Sequence, residues 1–504
     1  MLNLVMIVAG TVLSILIALE SPISHVLILI IGLANVQGTL ELAFGIPTIV
    51  PRVVFEAAIA VLFLKAIHSH LLFQKRRWLA PGLPAILLFL VACTVSYLLN
   101  NPPVLAMVLF VRHCLVFYIL FLALINLNWS RETGFLVGKF IIAMALLQLP
   151  AAVEMYMRVG IREGWGVGTM SLSAGGLGTI FPLMAISFLM ALFLYTGRIK
   201  YLLWFLPFIM FGVVNSKRAL VFVVPVLLLT QLAVYRYVRG GFRLRVRSTG
   251  IQRQRMGFFR SAAIIVVVAI SGAYIAGRAL PSLNPSSAVG GTFDPAYIAM
   301  VILDYETMVT STQEESGVQQ EAGVELTFGR VASTLGTFSA LYLEGPMAFL
   351  WGRGPGTLVG SSLTQTDQYQ AYLEMGILAG KTGLVWVMNQ VGIVGVLGVL
   401  WLYLHFFVYL VRLYRRLEPP TERVFALGLV GCTWVFLFDF LAYTNATLVT
   451  GAVTPVFYCL LAFAYKHLGR SQPGMQPGFP EGLPDQLIRA STSPRTSGLS
   501  PHVS

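Results

Sequence analysis

Apolar positions run in long stretches from Met1 to about Tyr465, interrupted by short polar or basic breaks. A bilayer crossing needs about 20 largely apolar residues, and residues 86–99 and 264–276 with their flanks, and 394–411, meet that length. The pattern predicts spans at 3–20, 25–43, 52–73, 82–99, 103–125, 134–156, 176–195, 200–214, 218–235, 261–280, 383–411, 424–442 and 447–466. This describes an all-α polytopic integral membrane protein with about 12–13 transmembrane helices and a large outer loop domain. Residues 1–280 form an N-terminal transmembrane bundle, 281–382 a partly helical outer domain, 383–466 the C-terminal spans, and 467–504 a cytoplasmic tail.

Composition agrees with a lipid solvent, because the chain is 57% hydrophobic and only 11% charged. A water-soluble protein of this size needs more polar surface. Met1 to Glu20 lacks the basic start and small-residue cleavage site of a signal peptide, so it reads as a span. Pro473, Pro477, Pro480, Pro484 and Pro494 mark a tail too poor in apolar residues to bury a core, expected to be disordered. Cys93, Cys114, Cys432 and Cys459 all fall inside spans at spacings that match no metal or redox motif.

Charge sets the orientation, since Lys and Arg beside a span resist translocation. Arg236, Arg239, Arg243, Arg245, Arg247, Arg253, Arg255 and Arg260 form a basic loop without an acid. Lys75, Arg76 and Arg77, then Arg198 and Lys200, then Arg412, Arg415 and Arg416 fall on the same inner side if each intervening segment crosses once. The net charge of +13 is therefore a topology signal, with attraction to anionic headgroups. No nucleic-acid partner is implied, because the basic loop has few aromatics and no recognition module. The stretch after Pro281 carries Asp294, Asp304, Glu306, Glu314, Glu315, Glu321 and Glu325 with no Lys or Arg until Arg330, which suits the outer side.

Several short elements between about residues 160 and 410 resemble one family. The run Trp351, Gly352, Arg353, Gly354, Pro355, Gly356, Thr357 resembles the glycine-rich outer-loop segment of bacterial O-antigen ligases and of O-antigen or exopolysaccharide polymerases. Asn215 to Ala219 resembles their Ser-x-Arg element at the outer end of a span, and Arg330, followed by an amphipathic segment and Glu344, Gly345 and Pro346, resembles the arginine that opens their outer helix. Gly168, Thr169 and the stretch from Gly175 to Pro182 resemble the family's approach to a middle span. The ligase pattern also places a histidine at fixed spacing before a Gly-x-x-Gly. Here Gly392 and Gly395 supply the glycines and Lys381 stands at the histidine position, with Thr382 beside it. A second register, ending in Gly376 and Gly380, puts Gln365 there. The departure argues against a ligase and is better tolerated in a polymerase.

The resemblance implies a metal-independent membrane glycosyltransferase of the bacterial inner membrane. Its donor is a polyprenyl-pyrophosphate-linked glycan, its loop domain is periplasmic, and its partners are membrane lipids and other polysaccharide assembly proteins. No cofactor is implied, and no metal, since the His, Asp and Glu residues show no ligand spacing. Transfer needs the pyrophosphate leaving group stabilised, a task that suits arginine's charged fork. Arg218, Arg330 and Arg353, with Lys217 and the intramembrane Arg112, are the candidate pyrophosphate contacts. The acceptor hydroxyl needs a base, for which Lys381, Glu374 and Asp367 are the candidates. Against these stand ordinary readings: Arg218 and Arg353 paired with the acidic loop or with lipid phosphate, Lys381 snorkelling at a span end, and Arg112 paired with Glu56 or Asp439.

Glu56, Lys65, Arg112, His113, Lys139 and Asp439 all sit at membrane depth, where each needs a partner or a wet cavity. A transporter or flippase would share that feature, but the chain shows no internal repeat and no Gly-x-x-x-x-Gly-Lys loop. A membrane sensor using the outer loop is a third reading, and it leaves the order of Arg218, Arg330 and Arg353 unexplained.

Overall fold

The computed structural model describes residues 2–73, 78–159, 168–170, 176–215, 217, 219–240, 309–311, 326–359 and 382–468, with scattered positions between 263 and 300. Helices dominate, as they must where no water can satisfy the backbone. In chain order they are α1 Leu2–Glu20, α2 Ile23–Phe44, α3 Ile49–Phe73, α4 Leu83–Asn100, α5 Val104–Asn126, α6 Arg131–Val159, α7 Leu177–Thr196, the short turn α8 Lys200–Leu203, α9 Phe205–Val214 and α10 Ala219–Gly240. Then follow α11 Arg330–Glu344, α12 Pro346–Trp351, α13 Gly383–Arg416, α14 Pro420–Phe438, α15 Ala446–Val449 and α16 Thr454–Phe463. Strands β1 Val309–Ser311 and β2 Leu326–Phe328 pair antiparallel, Thr310 opposite Thr327.

Seven helices are long and apolar enough to cross a membrane: α2, α4, α5, α6, α7, α13, and α14 with its extension to Tyr443. Helix α3 has the length but carries Arg52, Glu56 and Lys65, and Val5–Glu20, Lys200–Val214 and Phe222–Val238 are shorter apolar helices. Local chemistry sets several ends. Gly45 and Asn101, at φ 64° and 51°, stop α2 and α4 in the left-handed conformation that ends many helices, and Thr382 caps α13 by accepting from Val385 N at 3.2 Å.

Two expectations change in detail. The span at 383–411 is not one continuous rod, because Val391 and Gly392 (φ 66°, ψ −171°) leave helical geometry inside α13. The span at 447–466 is two helices, α15 and α16, separated by a turn at 451–453 and closed by a π-turn at Ala464–Leu468. The span expected at 261–280 lies largely outside the described residues.

Helix α13 is the spine, packed along α4 and α14. Helix α14 lies on α7, α5 on α3 and α16, and α1 on α3. Phe121 sits where four elements meet, with the rings of Phe406, Tyr458 and Tyr465 centred 5.4, 6.1 and 5.3 Å away. Glycines permit close approach, Gly398 against Phe89 and Gly428 against Phe188. The outer faces stay apolar, with Leu64, Leu98 and Ile142 all more than half exposed, as suits lipid.

One end of the bundle gathers the basic helix ends. There Arg131 Nη2 meets Glu422 Oε1 at 2.7 Å, Lys466 lies over Trp129, Tyr195 packs on Tyr235 and Tyr414, and Arg415 lies over Tyr237. The basic ends of α7, α10 and α13 therefore gather on one side, as the charge pattern requires.

Candidate functional site

The end opposite the basic one contains two interrupted spans. In the first, α13 breaks at Val391–Gly392, and the carbonyls of Asn389 and Gln390, which an unbroken helix would pair with residues 393 and 394, need other donors. The glycine-rich run after α12 supplies them. Arg353 N donates to Asn389 O at 2.8 Å and Gly354 N to Gln390 O at 3.1 Å, while Ser96 Oγ reaches Gln390 O at 2.8 Å. Gln390 Oε1 in turn accepts from Gly356 N at 2.8 Å, and Asn100 Nδ2 donates to Gly352 O at 3.1 Å.

Glycine is required at the crossing. Gly352 has φ 72°, and a Cβ there would stand 2.5 Å from Gln390 C. One on Gly392 would stand 2.2 Å from Leu350 O. Two backbones are thus in direct contact. Arg353 is held over this clip, its Nη1 donating to Asn389 Oδ1 at 2.9 Å and its Nε to Glu344 Oε2 at 2.9 Å, with Nη2 also on Glu344. Pairing with an acid is what the Arg353 side chain does, through Glu344 at the end of α11.

The second interruption follows α14, which passes into a π-turn at Asp439–Tyr443 and then leaves helical geometry at Thr444. Such turns inside apolar helices are frequent at functional positions. Asp439 is fully buried. One carboxylate oxygen accepts from Thr444 N (3.1 Å) and Thr444 Oγ1, the other from Thr447 N (2.8 Å) and Thr447 Oγ1 (2.7 Å). The acid therefore organises the chain reversal into α15. Thr444 O accepts from Gly383 N at 2.8 Å, tying this loop to the start of α13.

Tyr443 is the meeting point. Arg330, first residue of α11, donates through Nε to Tyr443 O at 2.7 Å and lies 4.8 Å over the ring. The Tyr443 hydroxyl lies 2.6 Å from Thr179 Oγ1 on the first turn of α7. Next to Thr179, Gly178 leaves room for Lys217, whose Cγ would be 3.0 Å from a Cβ at that position; Lys217 and Asn215 are both buried in the α9–α10 turn. Gly176 is likewise pressed against Thr444.

Two of the candidate cations are thus placed near the start of α7: Arg330 lies on Tyr443, which meets Thr179, and Lys217 packs on the adjoining Gly178. Arg353 belongs to the neighbouring clip, linked to α11 through Asn389 Nδ2 and Thr337 Oγ1 at 3.4 Å. Arg112 lies elsewhere, on α5, paired with Glu56 of α3 at 2.5 Å. Arg218, Lys381, Glu374 and Asp367 lie outside the described residues; Arg218 and Lys381 adjoin Lys217 and Thr382 in sequence. No cluster of three His, Cys, Asp or Glu side chains able to hold a metal occurs among the described residues. All four cysteines are free thiols.

Tyr443, Thr179 and the Asn389–Gln390 pair are the members that sequence reading passed over. Their signal was present, as polar residues in otherwise apolar spans beside Gly392 and before Thr444 and Asn445. No protein-family model matches the chain, and no curated protein matches it.

Proposed function

We propose that this chain polymerises a polyprenyl-pyrophosphate-linked glycan at the outer face of a bacterial inner membrane, in the manner of the O-antigen and exopolysaccharide polymerases it resembles. The observation that carries the reading is that Arg330 is held on Tyr443, whose hydroxyl meets Thr179, while Lys217 packs on the adjoining Gly178, all at an interrupted span at the end of the bundle away from the basic clusters. Interrupted spans are tolerated where they line a site, and cations placed against the positive-inside bias need a function. Under this reading all thirteen segments predicted by the apolar pattern cross, and residues 281–382 form the periplasmic domain.

The chemistry follows from what the groups can do. The bond from the sugar's anomeric carbon to the diphosphate breaks, and the acceptor hydroxyl supplies the new oxygen. Negative charge left on the diphosphate is met by Arg330 and Lys217, with Arg218 beside the latter in sequence. Arginine presents a fixed fork to phosphate oxygens, whereas lysine acts as a point charge. The proton from the hydroxyl passes to a base in the segment leading into α13, with Lys381, Glu374 and Asp367 as the candidates. Lys381 directly precedes Thr382 and Gly383, and Gly383 is bonded to Thr444.

The lipid-linked glycans of cells lacking the protein test this. A polymerase leaves single repeat units on the carrier at the outer face. Long polymer on the carrier, with none on its acceptor, would instead make the chain a ligase. Donor trapped at the cytoplasmic face, beyond the reach of added glycosidase, would make it a flippase.

A further inference from the structure

A second group of charges shares the end of the bundle that holds Tyr443 but makes no contact with it. Arg52, near the start of α3, donates through Nε to Glu56 Oε1 at 3.1 Å, and Arg112 on α5 donates through Nε to Glu56 Oε2 at 2.5 Å. Two cations thus share one carboxylate, and one positive charge is left over. Each guanidinium carries five N–H donors, and the bond to Glu56 uses only Nε in each. Nη2 of Arg52 is buried with no hydrogen-bond partner among the described residues. An unanswered donor and an excess charge at membrane depth are both costly, so the arrangement suits an anion that the described residues do not supply.

The surroundings say how that anion arrives. Arg112 lies about 12 Å along α5 from Val104 at 1.5 Å per residue. Leu105 and Val108, seven and four residues before it, share its face of the helix, and they are 47% and 54% exposed. The Arg112 and Arg52 side chains keep 25% and 17% of their surface. The pair therefore stands at the deep end of a stripe that opens sideways into lipid. Below it the wall is closed, Phe55 stacking on Phe117 at 6.3 Å and Gly451 packed against Phe55.

We propose that Arg52 and Arg112 form a binding site for the phosphate of a membrane lipid, entered from the bilayer between α3 and α5. Long cationic side chains reach up from this depth to the level of headgroups, and the free ends of two guanidiniums can clasp phosphate oxygens bidentately. Glu56 holds both arginines by Nε and so aims their forks away from itself. The ligand chemistry is a phosphate ester on an apolar tail, borne either by an anionic phospholipid or by a polyprenyl carrier. The site stands apart from the Tyr443 junction and does not depend on the glycan-transfer reading.

The test is lipid retention by the purified full chain in a phosphate-free maltoside detergent, read by native mass spectrometry. Phosphatidylglycerol and a polyprenyl monophosphate are added separately. The unmodified chain should retain one or both, and Arg112→Gln should lower retention about tenfold, with Arg112→Lys falling between because a point charge lacks the fork. Retention of phosphatidylglycerol alone assigns the site to bulk phospholipid, and of polyprenyl phosphate alone to a carrier lipid. Arg415→Gln, at the opposite end, should leave retention unchanged. The proposal is overturned if neither probe is retained, if Arg112→Gln binds as the unmodified chain does, or if Arg415→Gln lowers retention equally. Arg112 is the more exposed of the pair, so its variants test the site even if Arg52→Gln does not fold.

Discussion

The interruptions in α13 and after α14 solve the same problem in opposite ways. At Gly392 the freed carbonyls are answered mainly by backbone N–H groups of the Gly352–Gly356 run, and the cation above them is committed to Glu344 and Asn389. At Tyr443 side chains do the work: Asp439 gathers the donors of Thr444 and Thr447, and Arg330 takes the Tyr443 carbonyl. A break sealed by neighbouring backbone is a joint. At Tyr443 the described bond of Arg330 is to a neutral carbonyl, and charge-assisted bonds are about twice as strong as neutral ones, so under the proposed function a phosphate would compete for this cation. Under the proposed function the comparison gives Arg330 a part in the chemistry and Arg353 one in the architecture, although both are arginines of the same loop region.

Substitutions can break that comparison, and Asp439→Ala is expected to have the largest effect. It removes the carboxylate acceptor of four donors, of which Thr447 N and Thr447 Oγ1 are buried, for a loss on the order of 3 kcal/mol, visible as a lower melting temperature and a reduced yield after detergent extraction. An unchanged melting temperature would show that the chain reversal does not depend on this acid. Gly392→Ala comes next at about 2–3 kcal/mol, since the residue needs φ 66° and has no room for Cβ; thermal unfolding of Gly392→Ala beside Gly138→Ala, a helical position in α6 with nothing within 4 Å of an added Cβ, would isolate the strain.

Arg330→Lys should keep the fold while lowering polymer formation by about tenfold or more, or roughly 1.4 kcal/mol of barrier. Measuring repeat-unit length on surface polysaccharide at matched expression checks this. Arg353→Gln should be mildest, below about 1 kcal/mol in stability because Glu344 is partly exposed, with polymer length unaffected. Equal losses of activity for the two arginine variants would erase the distinction drawn between the breaks.

The apolar pattern located most helices closely because lipid leaves the chain few alternatives. Residues 82–99 became Leu83–Asn100 and 176–195 became Leu177–Thr196. The break in α13 was half visible: Gly392 stood out as one of a glycine pair, but the Asn389–Gln390 step before it vanished in a strongly apolar average. Pairing was less legible than position. Glu56 was one of two acids considered for Arg112, and only packing of α3 on α5 selects it over Asp439. The bond from Arg330 to Tyr443 spans 113 residues of sequence and has no local signature, and Tyr443 itself looked like the end of a span. The segment carrying Lys381, Glu374 and Asp367 has no apolar periodicity to anchor a reading.

The clip at Gly392 also bears on how the chain is made. Its donors on α4, Ser96 and Asn100, are synthesised long before their partners, 294 residues ahead of Gln390 and 252 ahead of Gly352. The ribosome therefore delivers α4 with two polar side chains waiting, then the glycine run, and last the helix whose carbonyls they jointly cover. Until all three meet, each exposes polar groups that hydrocarbon cannot satisfy. The clip can therefore close only once α13 has been made, while α14, α15 and α16 are still to come, so its polar groups stay uncovered through most of the chain's synthesis.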